Sequence, residues 1–173
     1  MTIAMERAGV TTFQGRPVTL LGPEVRVGAT APDFTVLADD FSPVTLAASK
    51  GTVRIFSVVP SLDTGVCDQQ TRRFNDEATR LGGVTIMTVS VDLPFAQKRW
   101  CGAASVEATQ TVSDYRDLSF GLAYGVVIAE FRLLARAVFV VDSSDQVVHV
   151  EYVPEVGQHP HYSAAIEAVR TAM

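Results

Sequence analysis

Cysteine is scarce in this chain of 173 residues, which has only Cys67 and Cys101. Long apolar runs are absent as well, since none reaches the roughly 18 residues that a membrane-spanning helix needs. The sequence also lacks a basic excess, because 14 lysines and arginines stand against 19 aspartates and glutamates. A net charge of -5 provides no electrostatic attraction for nucleic acid or an anionic membrane, so we expect neither as a partner.

The start of the chain, MTIAMERAGVTTF, lacks the apolar segment of a secretory signal peptide, because Glu6 and Arg7 interrupt it. We therefore expect a cytoplasmic location, where a lasting structural disulfide is rare and two cysteines indicate either redox chemistry or none. The length and the 47% of hydrophobic residues suit one domain with a full core. We expect residues 1–173 to form that single domain, with residues 1–11 as a flexible tail.

Hydrophobic periodicity predicts alternating strands and helices along most of the chain. Residues 53–59, VRIFSVV, are nearly all apolar or β-branched, as in a strand buried on both faces, and residues 85–91 form a second such strand. The intervening residues 65–81 carry apolar side chains at helical spacing. Asp92 is placed to cap a short helix that has Pro94 in its first turn and runs through Cys101.

Shorter signals complete the predicted fold. The segment TFQGRPVTLLG is typical of a hairpin with its turn at Gln14-Gly15, and residues 34–38 alternate as a strand. The segments LLARAVFVVD and QVVHVEYV flank the turn SSDQ and should pair as antiparallel strands, before an amphipathic helix that follows Pro160. This order predicts the α/β class, as a thioredoxin-like fold with a central mixed β-sheet flanked by helices and an N-terminal β-hairpin.

Cys67 follows the first buried strand, in the segment PSLDTGVC, and falls in the first turn of the next helix. Open α/β folds place their sites at the edge of the sheet where the parallel strands end and the next helices begin. The dipole of the helix favours a thiolate at its first turn. Thr64 can present its hydroxyl on the same side, and Pro60 fixes the backbone that enters the loop. From position alone, Cys67 could equally be a small core residue, and Thr64 could be a helix N-cap.

The residues around Cys67 resemble the peroxiredoxin pattern Pro-x-x-x-Thr-x-x-Cys, which Pro60, Thr64 and Cys67 match. The flanking segments are similar to the thiol peroxidase subfamily of bacterial peroxiredoxins, of the atypical two-cysteine type. Four blocks carry this resemblance in order: TFQGRPVTL, PSLDTGVCDQQTRRFN, SVDLPFAQKRWCG and LLARAVFVVD. The similarity runs from about Thr12 to the C-terminal helix, and only the first eleven residues and PEVGQHPHY lie outside it.

This resemblance implies a role for each residue of the pattern. Cys67 would be the peroxidatic cysteine, which attacks the terminal oxygen of a peroxide and becomes a sulfenic acid. Thr64 would hydrogen-bond the peroxide, and Pro60 would shield the pocket. Arg136, in LLARAV, would hold both thiolate and peroxide, which agrees with the need for donors where charge develops. Without the resemblance, Arg136 could be a solvated residue at a strand edge, whereas we expect Arg132 to be exposed.

By the same resemblance, Cys101 would be the resolving cysteine, which closes an intramolecular disulfide with Cys67. If strands 53–59 and 85–91 are parallel, Cys101 lies about eight residues into its helix, roughly 12 Å deeper than Cys67. A disulfide needs Cα atoms about 4.4–6.8 Å apart, so local unwinding must accompany its formation. Judged on its own, Cys101 could be a small buried residue beside Trp100.

The resemblance also implies hydrogen peroxide or organic hydroperoxides as substrates, thioredoxin as reductant and a homodimer, with no bound cofactor or metal. A thioredoxin-type disulfide oxidoreductase would need Cys-x-x-Cys, but Gln70 occupies the second position. The three histidines, His149, His159 and His161, show no paired ligand spacing with the cysteines. A peroxide sensor that passes its oxidation to a partner protein stays open as an alternative, because it would share the chemistry of Cys67.

Overall fold

A computed structural model describes residues 4–173 of the protein. The helices in this range are α1 (Gly65–Leu81), α2 (Pro94–Ala104), α3 (Ser119–Ala123) and α4 (Tyr162–Ala172), with a short 3-10 helix at Leu46–Ser49. The strands are β1 (Glu6–Phe13), β2 (Arg16–Leu21), β3 (Thr35–Leu37), β4 (Pro43–Thr45), β5 (Val53–Val58), β6 (Val84–Ser90), β7 (Gln110–Ser113), β8 (Val127–Ile128), β9 (Leu133–Leu134), β10 (Ala137–Val141) and β11 (Val147–Tyr152).

The main sheet has seven strands in the order β11-β10-β5-β6-β7-β3-β4. Strands β5, β6 and β7 run parallel, whereas β10 pairs antiparallel with both β5 and β11. Every residue of β5 is buried, because helices and loops cover both faces of the sheet there. The predicted mixed sheet, its parallel pair and the antiparallel pair around the turn SSDQ are therefore confirmed.

Side chains of β5 alternate between two hydrophobic clusters. Val53 and Ile55 pack with residues of α1 and α4 on one face of the sheet. Phe56 and Val58 point to the other face, into an aromatic cluster in which Phe120 stacks on Tyr124 at 4.2 Å between ring centroids. Because its side chains alternate between the two faces, β5 packs against α1 through Val53 and Ile55. This packing holds α1, and with it Cys67, against the middle of the sheet.

A second sheet contains the N-terminal hairpin, in the order β1-β2-β8-β9. The turn lies at Gln14-Gly15, as predicted, and both residues have positive φ angles, of 51° and 76°. Strand β1 begins at Glu6, and residues 6–8 and 12–13 pair with β2, so residues 6–11 lie in a strand. Arg7 strengthens this pairing by donating to the carbonyl of Gly22 at 3.0 Å. Residues 1–3 of the expected tail lie outside the described residues.

Two further differences from the sequence prediction concern the start of α2 and the shortest elements of the fold. Asp92 does not cap α2, because Leu93 takes the N-cap position and no side chain caps the helix. The carboxylate of Asp92 accepts hydrogen bonds from Ser61 and Leu62 instead, in the loop before Cys67. The sequence does not predict β4, the 3-10 helix, β7, α3 or β8, since runs of two to five residues are too short to show a period. The predicted strand LLARAVFVVD is divided in the structure into β9 and β10.

The parallel pairing of β5 and β6 positions the site. Both strands are followed by helices, so α1 and α2 begin at the same edge of the sheet, as the sequence predicted. None of the helices within residues 4–173 combines the length and apolar character needed to traverse a bilayer.

Candidate active site

Cys67 lies in the first turn of α1 and is fully buried. Val59, Leu62 and the half-buried Trp100 pack around it. Its Sγ accepts a hydrogen bond from Thr64 Oγ1 at 2.7 Å and another from Arg136 Nη2 at 3.2 Å. The structure therefore brings the cysteine, the threonine and the arginine of the predicted site into direct contact.

Thr64 occupies the N-cap position of α1, yet its side chain makes no capping hydrogen bond. Its hydroxyl lies between Cys67 Sγ and the carbonyl oxygen of Ser61, which is 3.2 Å away. Because a hydroxyl has one proton and two lone pairs, Thr64 can donate to the sulfur and still accept from another group. The N-cap interpretation of the side chain is therefore wrong, and its contact with the thiol is the one that the structure shows.

Arg136 lies just before β10 and is only 2% exposed, so it is not a solvated strand-edge residue. Three groups hold its guanidinium. Nε donates to the carbonyl of Val156 at 2.8 Å, Nη1 donates to Gln70 Oε1 at 2.8 Å, and Nη2 reaches the sulfur of Cys67. The planar fork of an arginine suits such fixed, multiple contacts. Arg132 is exposed, as predicted.

Gln70 is a site residue that the sequence analysis did not single out. It is fully buried, its Nε2 donates to Ser57 Oγ at 2.8 Å, and its Oε1 accepts from Arg136. A neutral amide can fix Arg136 without supplying a negative charge, so the guanidinium charge stays available to the sulfur of Cys67. The three-residue spacing from Cys67 places Gln70 on the same helix face, which is the signal that could have revealed it.

A cleft opens above this cluster. It is lined by Phe13, Gln14, Pro60, Thr64, Gly65, Val66, Arg136, Glu155, Val156 and Gly157. Cys67 itself is buried and does not line the cleft, but both of its hydrogen-bond partners do. A small molecule that enters the cleft therefore meets Thr64 and Arg136 beside the covered sulfur, and Pro60 contributes to the wall.

Glu155 joins the hairpin turn to this cleft. Its carboxylate accepts from Thr12 Oγ1 at 2.5 Å and from the N–H groups of Gln14 and Gly15, both at 3.1 Å. The hydrogen bond from Thr12 is the main reason why the pKa of Glu155 lies below its usual value. The segment PEVGQHPHY, which lies outside the family resemblance, thus supplies part of the cleft wall and the carbonyl of Val156 that holds Arg136.

Cys101 is the eighth residue of α2 and lies apart from this cluster. Its half-buried Sγ is 3.4 Å from Thr111 Oγ1, in a different cleft that Asp39 and Lys98 also line. Burial raises the pKa of the Cys101 thiol above its usual value. The two thiols are not bonded to one another, as expected if they meet only after unwinding. Within residues 4–173, no group of three or more candidate ligand side chains could hold a metal ion.

Comparisons with known proteins find relatives over nearly the whole chain. Residues 26–166 match the family model described as Redoxin. A thiol peroxidase from Halalkalibacterium halodurans is 65% identical over 162 residues, which cover 94% of this chain and 98% of that protein. The thiol peroxidase of Bacillus subtilis is 58% identical over 92% of this chain and 95% of its own length.

Solved structures show the same fold. A peroxiredoxin-like protein from Aquifex aeolicus superposes with a TM-score of 0.89 at 38% identity, over 98% of this chain and 99% of that one. A thiol peroxidase from Chromobacterium violaceum has a TM-score of 0.83 at 19% identity, over 93% of this chain and 95% of that one, and supports the fold alone. The chain belongs to the redoxin family. Within that family it is a peroxiredoxin of the thiol peroxidase type, an oxidoreductase.

Proposed function

We propose that this protein reduces hydrogen peroxide and organic hydroperoxides with Cys67 as the peroxidatic cysteine. The observation that carries the proposal is the sulfur of Cys67, which accepts from both Thr64 and Arg136 beneath an open cleft. The thiolate attacks the terminal oxygen of ROOH, an S–O bond forms as the O–O bond breaks, and RO⁻ leaves and takes a proton. The products are an alcohol, or water, and the sulfenic acid of Cys67.

In this reaction the neighbours of Cys67 stabilise charge and orient the peroxide. Arg136 favours the thiolate and meets the charge that moves onto the leaving oxygen. Its contacts with Gln70 and Val156 fix it before substrate arrives, so little reorganisation is needed. Thr64 holds the peroxide through its hydroxyl, and Pro60, which lines the cleft, shields the pocket.

Cys101 is proposed as the resolving cysteine. Its thiolate attacks the sulfur of the Cys67 sulfenic acid, the S–S bond forms, and the hydroxide that leaves is released as water. Because burial raises the pKa of Cys101 in the folded state, unwinding of α2 would also favour the thiolate that this step needs. An external dithiol then reduces the disulfide and regenerates both thiols.

Thioredoxin is proposed as that dithiol, on the strength of the family resemblance. On the same basis we propose a homodimer. The sequence of the first residues and the chain length are the grounds on which we propose a cytoplasmic location and a single domain over residues 1–173. The chemistry as written uses only thiols and peroxide, so the proposal includes no cofactor.

The deciding experiment is a count of free thiols and an intact mass before and after one equivalent of hydrogen peroxide. The wild-type protein has two free thiols, and we expect it to lose both, together with the mass of two hydrogens. The variant Cys67→Ser should keep its remaining thiol and consume no peroxide, because serine is not ionised near neutral pH. A wild-type protein with two intact thiols after treatment would refute the proposal. Sustained peroxide consumption with thioredoxin would separate an enzyme from a peroxide sensor.

A further inference from the structure

The carboxylate of Asp92 fastens the loop that precedes Cys67. Its Oδ1 accepts from Ser61 Oγ at 2.8 Å, and its Oδ2 accepts from the N–H of Leu62 at 2.8 Å. The same Oδ2 accepts from Ser90 Oγ, at the end of β6, at 2.7 Å. One ionised side chain therefore ties the loop between β5 and α1 to the neighbouring strand.

The same network continues into the helix that carries Cys101. Gln97, in the first turn of α2, is fully buried, and its Nε2 donates to Ser90 Oγ at 3.0 Å and to the carbonyl of Val112 at 2.8 Å. Ser90 thus accepts from Gln97 while it donates to Asp92. The loop before Cys67 and the helix of Cys101 share one hydrogen-bond network, and Asp92 is the member that joins them.

An exposed ion pair also links these two elements, but it is the weaker contact. Asp63 and Arg99 lie 3.8 Å apart, and their side chains are 65% and 74% exposed. Solvent-exposed pairs of this kind contribute little to stability. By contrast, Leu62 is 2% exposed and Ser90 is fully buried, so their hydrogen bonds to the half-buried carboxylate of Asp92 are partly shielded from solvent and charge-assisted.

We propose that Asp92 is a positioning residue that sets the balance between two states of the proposed reaction. In the folded state Cys67 meets peroxide, and in a locally unwound state Cys101 reaches Cys67. This inference rests on the proposed function. Asp92 touches neither sulfur and acts through Ser61, Leu62 and Ser90. Because its bonds exist in the folded state, weakening them raises the population of the unwound state. Disulfide formation should then become faster, whereas oxidation of Cys67 should not.

The test measures the two steps separately in the variant Asp92→Asn, which keeps the shape but removes the charge. Stopped-flow fluorescence of Trp100, which packs against Cys67, follows disulfide formation after one equivalent of hydrogen peroxide. We expect this step to be about tenfold faster than in wild type, the change that loss of one hydrogen bond to a charged group produces. The yield of Cys67 sulfinic acid under excess peroxide should fall. The control Asp63→Asn, in the same loop, should behave as wild type.

Faster disulfide formation is a result that a merely structural role of Asp92 would not give. If Asp92→Asn has a lower Tm but forms the disulfide at the wild-type rate or more slowly, the inference is wrong. Should that variant not fold, Ser61→Ala removes a single donor to Asp92 and must show the same acceleration. A wild-type protein that forms no sulfenic acid at Cys67 would overturn the proposed function instead, so the two failures are distinguishable.

Discussion

The neutrality of Gln70 leads to a prediction about the thiolate of Cys67. The variant Gln70→Glu would place a buried carboxylate against Nη1 of Arg136, where the amide oxygen now lies at 2.8 Å. The sulfur contacts the other terminal nitrogen of the same guanidinium, at 3.2 Å. The new carboxylate and the thiolate would therefore be about 5–7 Å apart, and at an effective dielectric constant of about 20 they repel by about 2–3 kcal/mol.

That repulsion corresponds to a factor of about 30 to 150 in the equilibrium between thiol and thiolate. We therefore expect the second-order rate of Cys67 oxidation by hydrogen peroxide, measured by stopped flow at pH 7, to fall by up to this factor. The control Gln69→Glu adds the same charge at the exposed neighbouring position and should react nearly as wild type. Equal rates for Gln70→Glu and wild type at pH 7 would show that the charge of Arg136 does not govern the thiolate.

Two other predictions concern the formation of the Cys67–Cys101 disulfide and the pH dependence of stability. In Cys101→Ser the sulfenic acid can still form, so the variant should consume about one equivalent of peroxide. It should lose the Trp100 fluorescence change and the recycling by thioredoxin, because the internal disulfide cannot form. Cycling at the wild-type rate would show a one-cysteine mechanism instead. Burial raises the pKa of Asp114 to about 6, against hydrogen bonds from Gly121 and Phe120 that lower it. Since this folded-state pKa exceeds the unfolded one, the protonated group stabilises the fold below about pH 4, and that stabilisation is lost as pH rises through about 6. Between pH 4 and pH 7, the free energy of unfolding measured with urea should fall by up to about 3 kcal/mol more in wild type than in Asp114→Asn. An equal change in the two proteins would contradict this prediction.

The long elements of the fold were predictable because their signals are local. Residues 65–81 carry an apolar stripe at helical spacing and fold as α1 over the predicted range. The run VRIFSVV similarly marks β5, which the structure buries completely. Strand β8, of two residues, depends on pairing with the distant strand β2, and no local pattern marks such a strand.

The candidate site was predictable only in part, since a resemblance can name residues but not their supports. Cys67, Thr64 and Arg136, which the resemblance names, are in contact in the structure, although Arg136 is 69 residues away from Cys67 in sequence. In the sequence, Gln70 indicates only the absence of a second cysteine, because a polar residue in a helix is ordinarily solvated. The local sequence predicts that Asp92 caps α2, but its carboxylate accepts from donors in the distant loop before Cys67 instead of from the backbone of that helix.

The separation between Cys67 and Arg136 has a consequence for the protein during its synthesis. At about 5–20 residues per second, the ribosome adds the 69 residues from Cys67 to Arg136 in roughly 3–14 s. Val156, which holds the guanidinium, follows 20 residues later still. A nascent or truncated chain therefore carries the thiol without its cation. If Arg136 has the proposed role, a chain that ends before Arg136 should react slowly with peroxide even after Cys101 has been added.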